Sequence, residues 1–303
     1  MTQQNKPRKI RISAKQTALI ALFAALIVII TRLPGIPISL GIPTGTIELS
    51  VPLYPLAGIL LGPGIGTVAV LIGNIISWII PKSTVMGFLL IPAGAFAAFA
   101  AGSLVRRMRW VNWKTAAILL TVLIALWYVT PVGLEAPFYP FFLHVPALIL
   151  ILIFRGKIFE FVNGMSKKLV TLGIGIASFV GVMADHMWGN IMFVTAVNYV
   201  VDMKAFRDAL KNVGMAISLG FSASKPIADW VYQMTADPTL GDFFMLSIPI
   251  ATVERIIFTI IATVVGVGVV MALGKFFFAS PETRTQDQSK AIDKGDTRMQ
   301  KSE

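Results

Sequence analysis

The sequence has no cysteine and only two histidines, His144 and His186, in 303 residues. The lack of cysteine excludes disulfides, thiolate metal sites and a cysteine nucleophile. Two histidines are too few for a histidine-rich metal cage. Charged residues make up 14% of the chain, well below the roughly 25% of soluble domains. We therefore expect no soluble enzyme, and we predict no catalytic residues, no metal site and no cofactor.

Apolar residues make up 56% of the chain, and they are concentrated in long runs. The runs have about the 17–25 residues that a helix needs to cross a hydrocarbon layer of ~30 Å. The net charge of +11 comes from basic residues that lie between these runs rather than along one face. This distribution indicates membrane orientation and not nucleic-acid binding.

We predict an all-α transmembrane bundle of about eight spans in a single domain over residues 1–279. A charged, proline-containing segment at 202–245 is expected to cap the external side, and 280–303 to form a disordered tail because it has almost no apolar residues. Gly189 is a candidate break in the seventh span. The spans are predicted near 15–31, 47–61, 64–80, 85–105, 115–131, 138–154, 169–200 and 247–274.

The basic residues predict which side of the membrane each loop occupies. Nineteen of the 26 lysines and arginines fall on one side of this arrangement and six on the other. The rich side is expected to be cytoplasmic, and an even number of spans then places both termini there. A basic leader precedes the first apolar run without a small-residue cleavage site after it, which predicts an uncleaved first span in the plasma membrane.

Small residues follow one face of the first span. Ala14, Ala18, Ala21 and Ala25 are spaced by four, three and four positions, so they share a helical face. Such a face lets membrane helices approach closely. It is compatible with packing inside this chain or with docking against another membrane subunit.

Ionisable residues inside spans are the strongest functional signal, since each costs roughly 2.5–3.5 kcal/mol on insertion scales. The pairs at 185–186 and 254–255 are expected in the outer half of the bilayer, where they would converge with aromatic residues on an externally open pocket. The candidate substrate-binding residues are Glu48, Asn74, Trp78, Asp185, His186, Trp188, Glu254 and Arg255.

Each of these residues also has a structural interpretation. Arg255 could pair with Asp185 or Glu254 only to stabilise the bundle. Trp188 could belong to the interfacial aromatic belt, and His144 to an external helix end. An intramembrane protease would need paired glutamates near an arginine, a pattern that the sequence lacks.

Four segments together resemble a known family. They are AKQTALIALFAALIVI, TIELSVPLYPLAGILLGPGIGTVAVLIGNIISWIIP with its Gly-Pro-x-x-Gly turn, GFLLIPAGAFAAFAAGSLVRRM and ERIIFTIIATVVGVGVVMAL. Their order and spacing resemble the substrate-binding S component of an energy-coupling factor (ECF) vitamin transporter. Relative to the usual six-helix form, this chain would be enlarged by a helix pair at 115–154.

The resemblance implies that the chain binds a vitamin or similar micronutrient from outside, without being an enzyme. The loop at 33–46 would close the pocket, and the alanine face of the first span would dock on a transmembrane coupling subunit. Two cytoplasmic ATPases would supply the energy. The mixed charges of the pocket favour a ligand with both charges, or a neutral ligand if they neutralise one another.

Two alternatives stay open at this point. The chain could be an autonomous ion-coupled carrier that uses Asp185 and Glu254 as proton or cation sites. It could also be a membrane enzyme or scaffold, in which case substitution of His186 would abolish turnover rather than affinity.

Overall fold

The structure is a computed structural model. It describes residues 13–34, 36–37, 46–80, 84–108, 110–164, 166–200 and 238–278, together with a few isolated positions between 201 and 237. Most of the predicted external segment, the whole of the predicted tail and most of the loop at 33–46 lie outside the described residues. The last part of the predicted external segment, 240–245, is helical.

The described residues form an all-α bundle of ten helices, as predicted. Two strands of two residues, β1 (Ile36–Pro37) and β2 (Thr46–Ile47), pair antiparallel at the two ends of the loop after the first helix. The helices are α1 (Ala14–Ile30), α2 (Leu53–Leu61), α3 (Pro63–Ile79), α4 (Val85–Val105), α5 (Trp113–Val129), α6 (Pro131–Glu135), α7 (Tyr139–Phe154), α8 (Lys157–Asn163), α9 (Lys167–Val200) and α10 (Leu240–Phe278).

Each predicted span corresponds to one of these helices, with two corrections. The second span was predicted from residue 47, but α2 begins only at Leu53 because β2 and a turn precede it. The seventh span is not broken, since α9 continues through Gly189. By length and composition α4, α9 and α10 could each cross a membrane, whereas α1, α3, α5 and α7 are apolar helices of 16–17 residues.

Local signals in the sequence explain where several helices begin. Ser13 caps α1 together with Gln16 in a reciprocal capping box, and Asn112 does the same for α5. These side chains satisfy backbone N–H groups that the first helical turn leaves without partners. The apolar runs therefore start as helices at defined residues.

The turn between α2 and α3 depends on glycine. Gly62 has φ +88°, a left-handed conformation that glycine adopts without steric cost. Pro63 then occupies the first position of α3, where its missing N–H is not needed. This turn directs α3 back along α2 with no intervening loop.

The centre of the bundle is made by α4 and α9, which contact each other along their length and both contact α2. α1 packs on α3 at one side, and α5 and α7 pack on the α4–α9 side. α10 contacts α9, α2 and α7, but only 28% of its most apolar 18-residue window is buried. Most of its apolar surface therefore faces outward, as expected for a helix that borders lipid.

The backbones of α2 and α4 approach each other very closely. Gly58 lies directly against the backbone of Ala98, so that an added Cβ would overlap the Ala98 carbonyl oxygen. A Cβ at Gly102 would lie 2.7 Å from the Pro63 nitrogen. Small residues at these positions let apolar helices pack by van der Waals contact when lipid provides no hydrophobic driving force.

Gly58→Ala is expected to destabilise the bundle by about 1–3 kcal/mol, because the added methyl group forces α2 away from α4. Gly64→Ala is the matched control, since a Cβ there meets nothing within 4 Å. Thermal unfolding of the detergent-purified proteins should give a lower midpoint for Gly58→Ala only. Equal midpoints for the two variants would contradict the close approach.

Candidate functional site

The charged residues predicted from sequence meet between α9 and α10. Arg255 Nη1 lies 3.6 Å from Asp185 Oδ2, and Arg255 Nη2 lies 3.2 Å from Glu254 Oε1. The three side chains are only 11–14% exposed. Both predicted ion pairs are therefore formed at once, and a single guanidinium joins the two helices.

A third carboxylate lies close to this group. Glu48 follows β2 directly, and its carboxylate is within electrostatic range of Arg255. Ser50 Oγ donates to Glu48 Oε2 over 3.4 Å and also lies 2.9 Å from the Tyr54 hydroxyl. The group thus has three carboxyl side chains for one guanidinium. Since Glu48 directly follows β2, the end of the β1–β2 loop lies beside the interior charges.

Arg255 has hydrogen-bonding capacity that the described part of the chain does not use. Its Nε and Nη1 are buried without a hydrogen-bond partner there, because 3.6 Å to Asp185 is too long for a hydrogen bond. The guanidinium carbon lies 5.6 Å from the centre of the Phe258 ring, a cation–π contact. A buried donor without a partner costs about 1–3 kcal/mol, and more when it is charged, so these atoms are suited to receive an acceptor from a ligand.

A cluster of imidazole and phenol groups lies next to the charges. The Tyr139 hydroxyl is 3.4 Å from His186 Nε2 and accepts a 3.0 Å hydrogen bond from Asn190 Nδ2. The rings of His144 and His186 stack with centroids 5.2 Å apart and an angle of 22°. Tyr139 and His144 come from α7, and His186 and Asn190 from α9.

The two imidazoles are also short of partners. His144 is 1% exposed and His186 6% exposed. Both ring nitrogens of His144, and Nδ1 of His186, have no hydrogen-bond partner within the described residues. Buried polar atoms in native proteins nearly always have partners, and each exception needs an explanation. A site that is completed by a bound molecule provides one.

Aromatic rings form the wall on the α7 and α10 side of this cluster. Phe244 packs edge-on against both Trp127 and Tyr139, with centroids 4.9 and 5.2 Å apart. Phe193 on α9 contacts Phe244 at 6.1 Å. Such rings give a flat apolar surface beside a few polar atoms, the usual composition of a small-molecule site.

The remaining predicted residues bind to the backbone of α4 or of the turn before it. Asn74 Nδ2 donates to the Ile91 carbonyl oxygen, Trp78 Nε1 to that of Thr84, and Trp188 Nε1 to that of Leu89. The Trp188 ring also packs on Phe96, with centroids 5.0 Å apart. These polar atoms are thus occupied in holding α3 and α9 against α4, while Asp185, Glu254 and Arg255 form the charged group.

Sequence reasoning missed Tyr139 and the interior position of His144. The structure buries His144 in the second turn of α7. The cost of placing an imidazole six residues inside an apolar run was a usable signal. The contact between α7 and α9 could not be predicted, because no local sequence pattern specifies which helices become neighbours.

The alanine face of α1 points away from the bundle. Ala14, Ala18, Ala21 and Ala25 are all exposed, whereas Phe23, Ala24 and Ile27 are the buried residues of this helix. The small-residue face is therefore not used for packing within the described residues.

The fold and the site define a helical membrane protein with a polar site enclosed by apolar helices. A family model described as the S component of ECF-type riboflavin transporters matches residues 11–174, more than half of the chain. The chain therefore belongs to the family of ECF-type riboflavin transporter S components, the substrate-binding subunits of transporters. This membership confirms the resemblance predicted from sequence.

Relatives of known sequence or structure add little to the family assignment. An uncharacterised protein of Methanocaldococcus jannaschii is 38% identical over 141 residues, which is 46% of this chain and 46% of that protein. The match thus spans less than half the length of the relative. No solved structure matched the chain.

Arg255→Gln is expected to destabilise the protein by about 3–5 kcal/mol, because it leaves buried carboxylates without their counter-charge. Adding Asp185→Asn should recover part of this loss, since it removes one of those carboxylates. Thermal or denaturant unfolding of the single and double variants in detergent measures the coupling.

Arg107→Gln is the control for the loss of an arginine. Its pairing with Glu160 is long, at 3.9 Å, and both side chains are more than 60% exposed, so its removal should change stability by less than about 1 kcal/mol. If Arg255→Gln behaves like Arg107→Gln, the ion pairs do not stabilise the bundle.

Proposed function

We propose that this chain captures a vitamin or a similar micronutrient outside the cell and delivers it inward as part of an ECF-type importer. A transmembrane coupling subunit and two cytoplasmic ATPases would supply the energy, with both termini of this chain on the cytoplasmic side. Membership of the S-component family supports the general role. The observation that supports the location of the site is that nitrogens of Arg255, His144 and His186 are buried without a hydrogen-bond partner among the described residues.

The chemistry of the site favours a flat, polar heterocycle. Arg255 offers two N–H groups to acceptors such as ring carbonyl oxygens. His144 and His186 offer nitrogens that can donate or accept, and the rings of Tyr139 and Phe244 offer stacking surfaces. Riboflavin, which the family description names, has ring carbonyls, ring nitrogens and a hydroxylated chain, so it is the first ligand to test.

The described ends of the loop between α1 and α2 support its assignment as the entrance. Its ends are held together by the pairing of Ile36 with Ile47, and Glu48 next to that pairing approaches Arg255. A ligand that passed this loop would reach Glu48 first and the interior group of Asp185 and Arg255 next. We assign the loop at 33–46 as the gate.

The exposed face of α1 is the surface that we assign to the coupling subunit. Its four alanines present almost no side-chain bulk on the side of α1 opposite Phe23 and Ile27. A partner helix could therefore approach the α1 backbone closely.

An ion-coupled carrier is the second candidate, and the three carboxyl side chains near Arg255 favour it. Carboxylates at membrane depth are the usual proton or cation sites of such carriers. The two candidates differ in what the isolated chain can do: a carrier transports alone, whereas a capture subunit binds alone and transports only with its partners.

Tyr139→Phe is expected to weaken ligand binding about fivefold to tenfold, because it removes a hydroxyl worth roughly 1 kcal/mol or slightly more in hydrogen bonding. Tyr128→Phe is the matched control, since its hydroxyl donates to the Pro137 carbonyl oxygen outside the cluster. Quenching of riboflavin fluorescence by the purified full chain gives both affinities.

If riboflavin does not bind, native mass spectrometry of the protein as purified identifies any retained ligand, and the same two variants are compared with it. Equal affinities for Tyr139→Phe and Tyr128→Phe would show that the Tyr139 cluster is not the binding site.

Ala18→Leu is expected to leave ligand affinity unchanged and to abolish uptake in cells that express the coupling module, because the added side chain blocks close docking. Ala125→Leu, at another exposed alanine on α5, should preserve both. Uptake into liposomes that contain only this chain, driven by an ion gradient, would instead establish the carrier.

A further inference from the structure

A small cavity lies at the opposite end of the bundle from the polar cluster, where the ends of α4, α5 and α8 meet. Its volume is about 150 Å³. Within the described part of the chain, the residues that line it lie at the end of α4, the start of α5 and the start of α8. They include no member of the charged group around Arg255, so the two sites are distinct.

The polar wall of this cavity is strongly basic. Arg106, Arg107 and Lys114 line it, and none of its lining residues in the described part of the chain is acidic. The nearest acid in contact with the wall is Glu160, which pairs with Arg107 at 3.9 Å while both side chains remain largely exposed. Within the described residues the wall of the cavity is therefore predominantly cationic.

Two of the cavity's polar residues are held in place by the fold. Arg106 Nη2 donates to the Leu60 carbonyl oxygen at the end of α2, over 3.0 Å. Asn112 caps α5 through a hydrogen bond from the Lys114 N–H, 2.9 Å long. The Lys114 ammonium lies 5.9 Å from the centre of the Trp113 ring. Contacts with α2 and α5 therefore position Arg106 and Lys114, while Arg107 contacts Phe159 and Glu160 of α8.

The cavity lies at the level where a bilayer has its headgroups. The apolar helix α4 ends at Val105 and the apolar helix α5 begins at Trp113, so the connection between them must emerge at a membrane surface. Trp110 in this connection is 77% exposed, as expected for an aromatic residue at the interface. Basic pockets at this level are suited to phosphate-bearing lipid headgroups.

We propose that this cavity binds a phosphate group, carried by an anionic phospholipid or by a soluble phosphate. The guanidinium of Arg107 and the ammonium of Lys114 would contact its oxygens, and Arg106 would supply a fixed positive charge beside them. The proposal is independent of the transported substrate and of the partner subunits.

The test measures phospholipid retention by the full chain in detergent, using native mass spectrometry. Dioleoyl-phosphatidylglycerol is added in one series and dioleoyl-phosphatidylcholine in the other. Wild type is expected to retain one phosphatidylglycerol in preference to phosphatidylcholine. The double variant Arg107→Gln/Lys114→Gln should lose this preference, with an affinity lower by about fivefold for each cation removed.

Lys167→Gln/Lys168→Gln is the matched control, because it removes the same charge from exposed positions outside the cavity wall. A parallel series with inorganic phosphate, read as a rise in the thermal midpoint of lipid-free protein, distinguishes the source. The same melts show whether each variant is folded. If phosphate stabilises the wild type and the control variant but neither protein prefers phosphatidylglycerol, the site is supported and its ligand is a soluble phosphate.

Two results would overturn the proposal. An equal loss of lipid preference in both double variants would mean that general surface charge is responsible. Binding of neither phosphatidylglycerol nor phosphate by the wild type would mean that the cavity is not a phosphate site.

Discussion

The contact between Arg255 and Asp185 is the constraint on which the arrangement of this bundle depends. α10 exposes most of its apolar surface, and it packs on the bundle through a narrow buried face that includes Phe258, Ala262 and Val267. A guanidinium inside an apolar bundle must stay close to its counter-charges, because an unpaired buried charge is far costlier than a shifted helix. Together with these apolar contacts, the ion pair limits how far α10 can slide past α9, and with it the position of Phe244 against Tyr139.

The helix pair α5 and α7 contributes to the proposed site and is not only added mass. α7 supplies Tyr139 and His144, and α5 supplies Trp127, which packs on Tyr139 with centroids 5.1 Å apart. The enlargement over a six-helix form therefore brings new polar and aromatic groups beside the charges carried by α9 and α10. A ligand in this position would contact side chains from at least three helices, which favours selectivity through several fixed contacts.

Three surfaces of the molecule have different chemistry, and the bundle keeps them apart. The interior cluster around Arg255 is polar and enclosed, the outward face of α1 is small and apolar, and the cavity beside Arg106 is basic. A capture subunit needs the first two to be separate, because ligand binding and partner docking must be able to occur together. The third surface would hold the connection between α4 and α5 at the bilayer surface if a lipid occupies it.

The sequence by itself determined the helical spans, since each apolar run must become a helix to satisfy its backbone in lipid. It also identified Asp185, Glu254 and Arg255, because charges inside such runs are costly enough to be noticed singly. It could not place β2 ahead of α2, because a two-residue ladder leaves no periodic pattern. Tertiary structure alone decided that Tyr139 and His144 lie beside the charged group. It also decided that the side chains of Asn74, Trp78 and Trp188 donate hydrogen bonds to backbone carbonyls of α4 and its preceding turn. These outcomes depend on which helices are neighbours and how they are rotated, which small residues such as Gly58 and long-range contacts settle together.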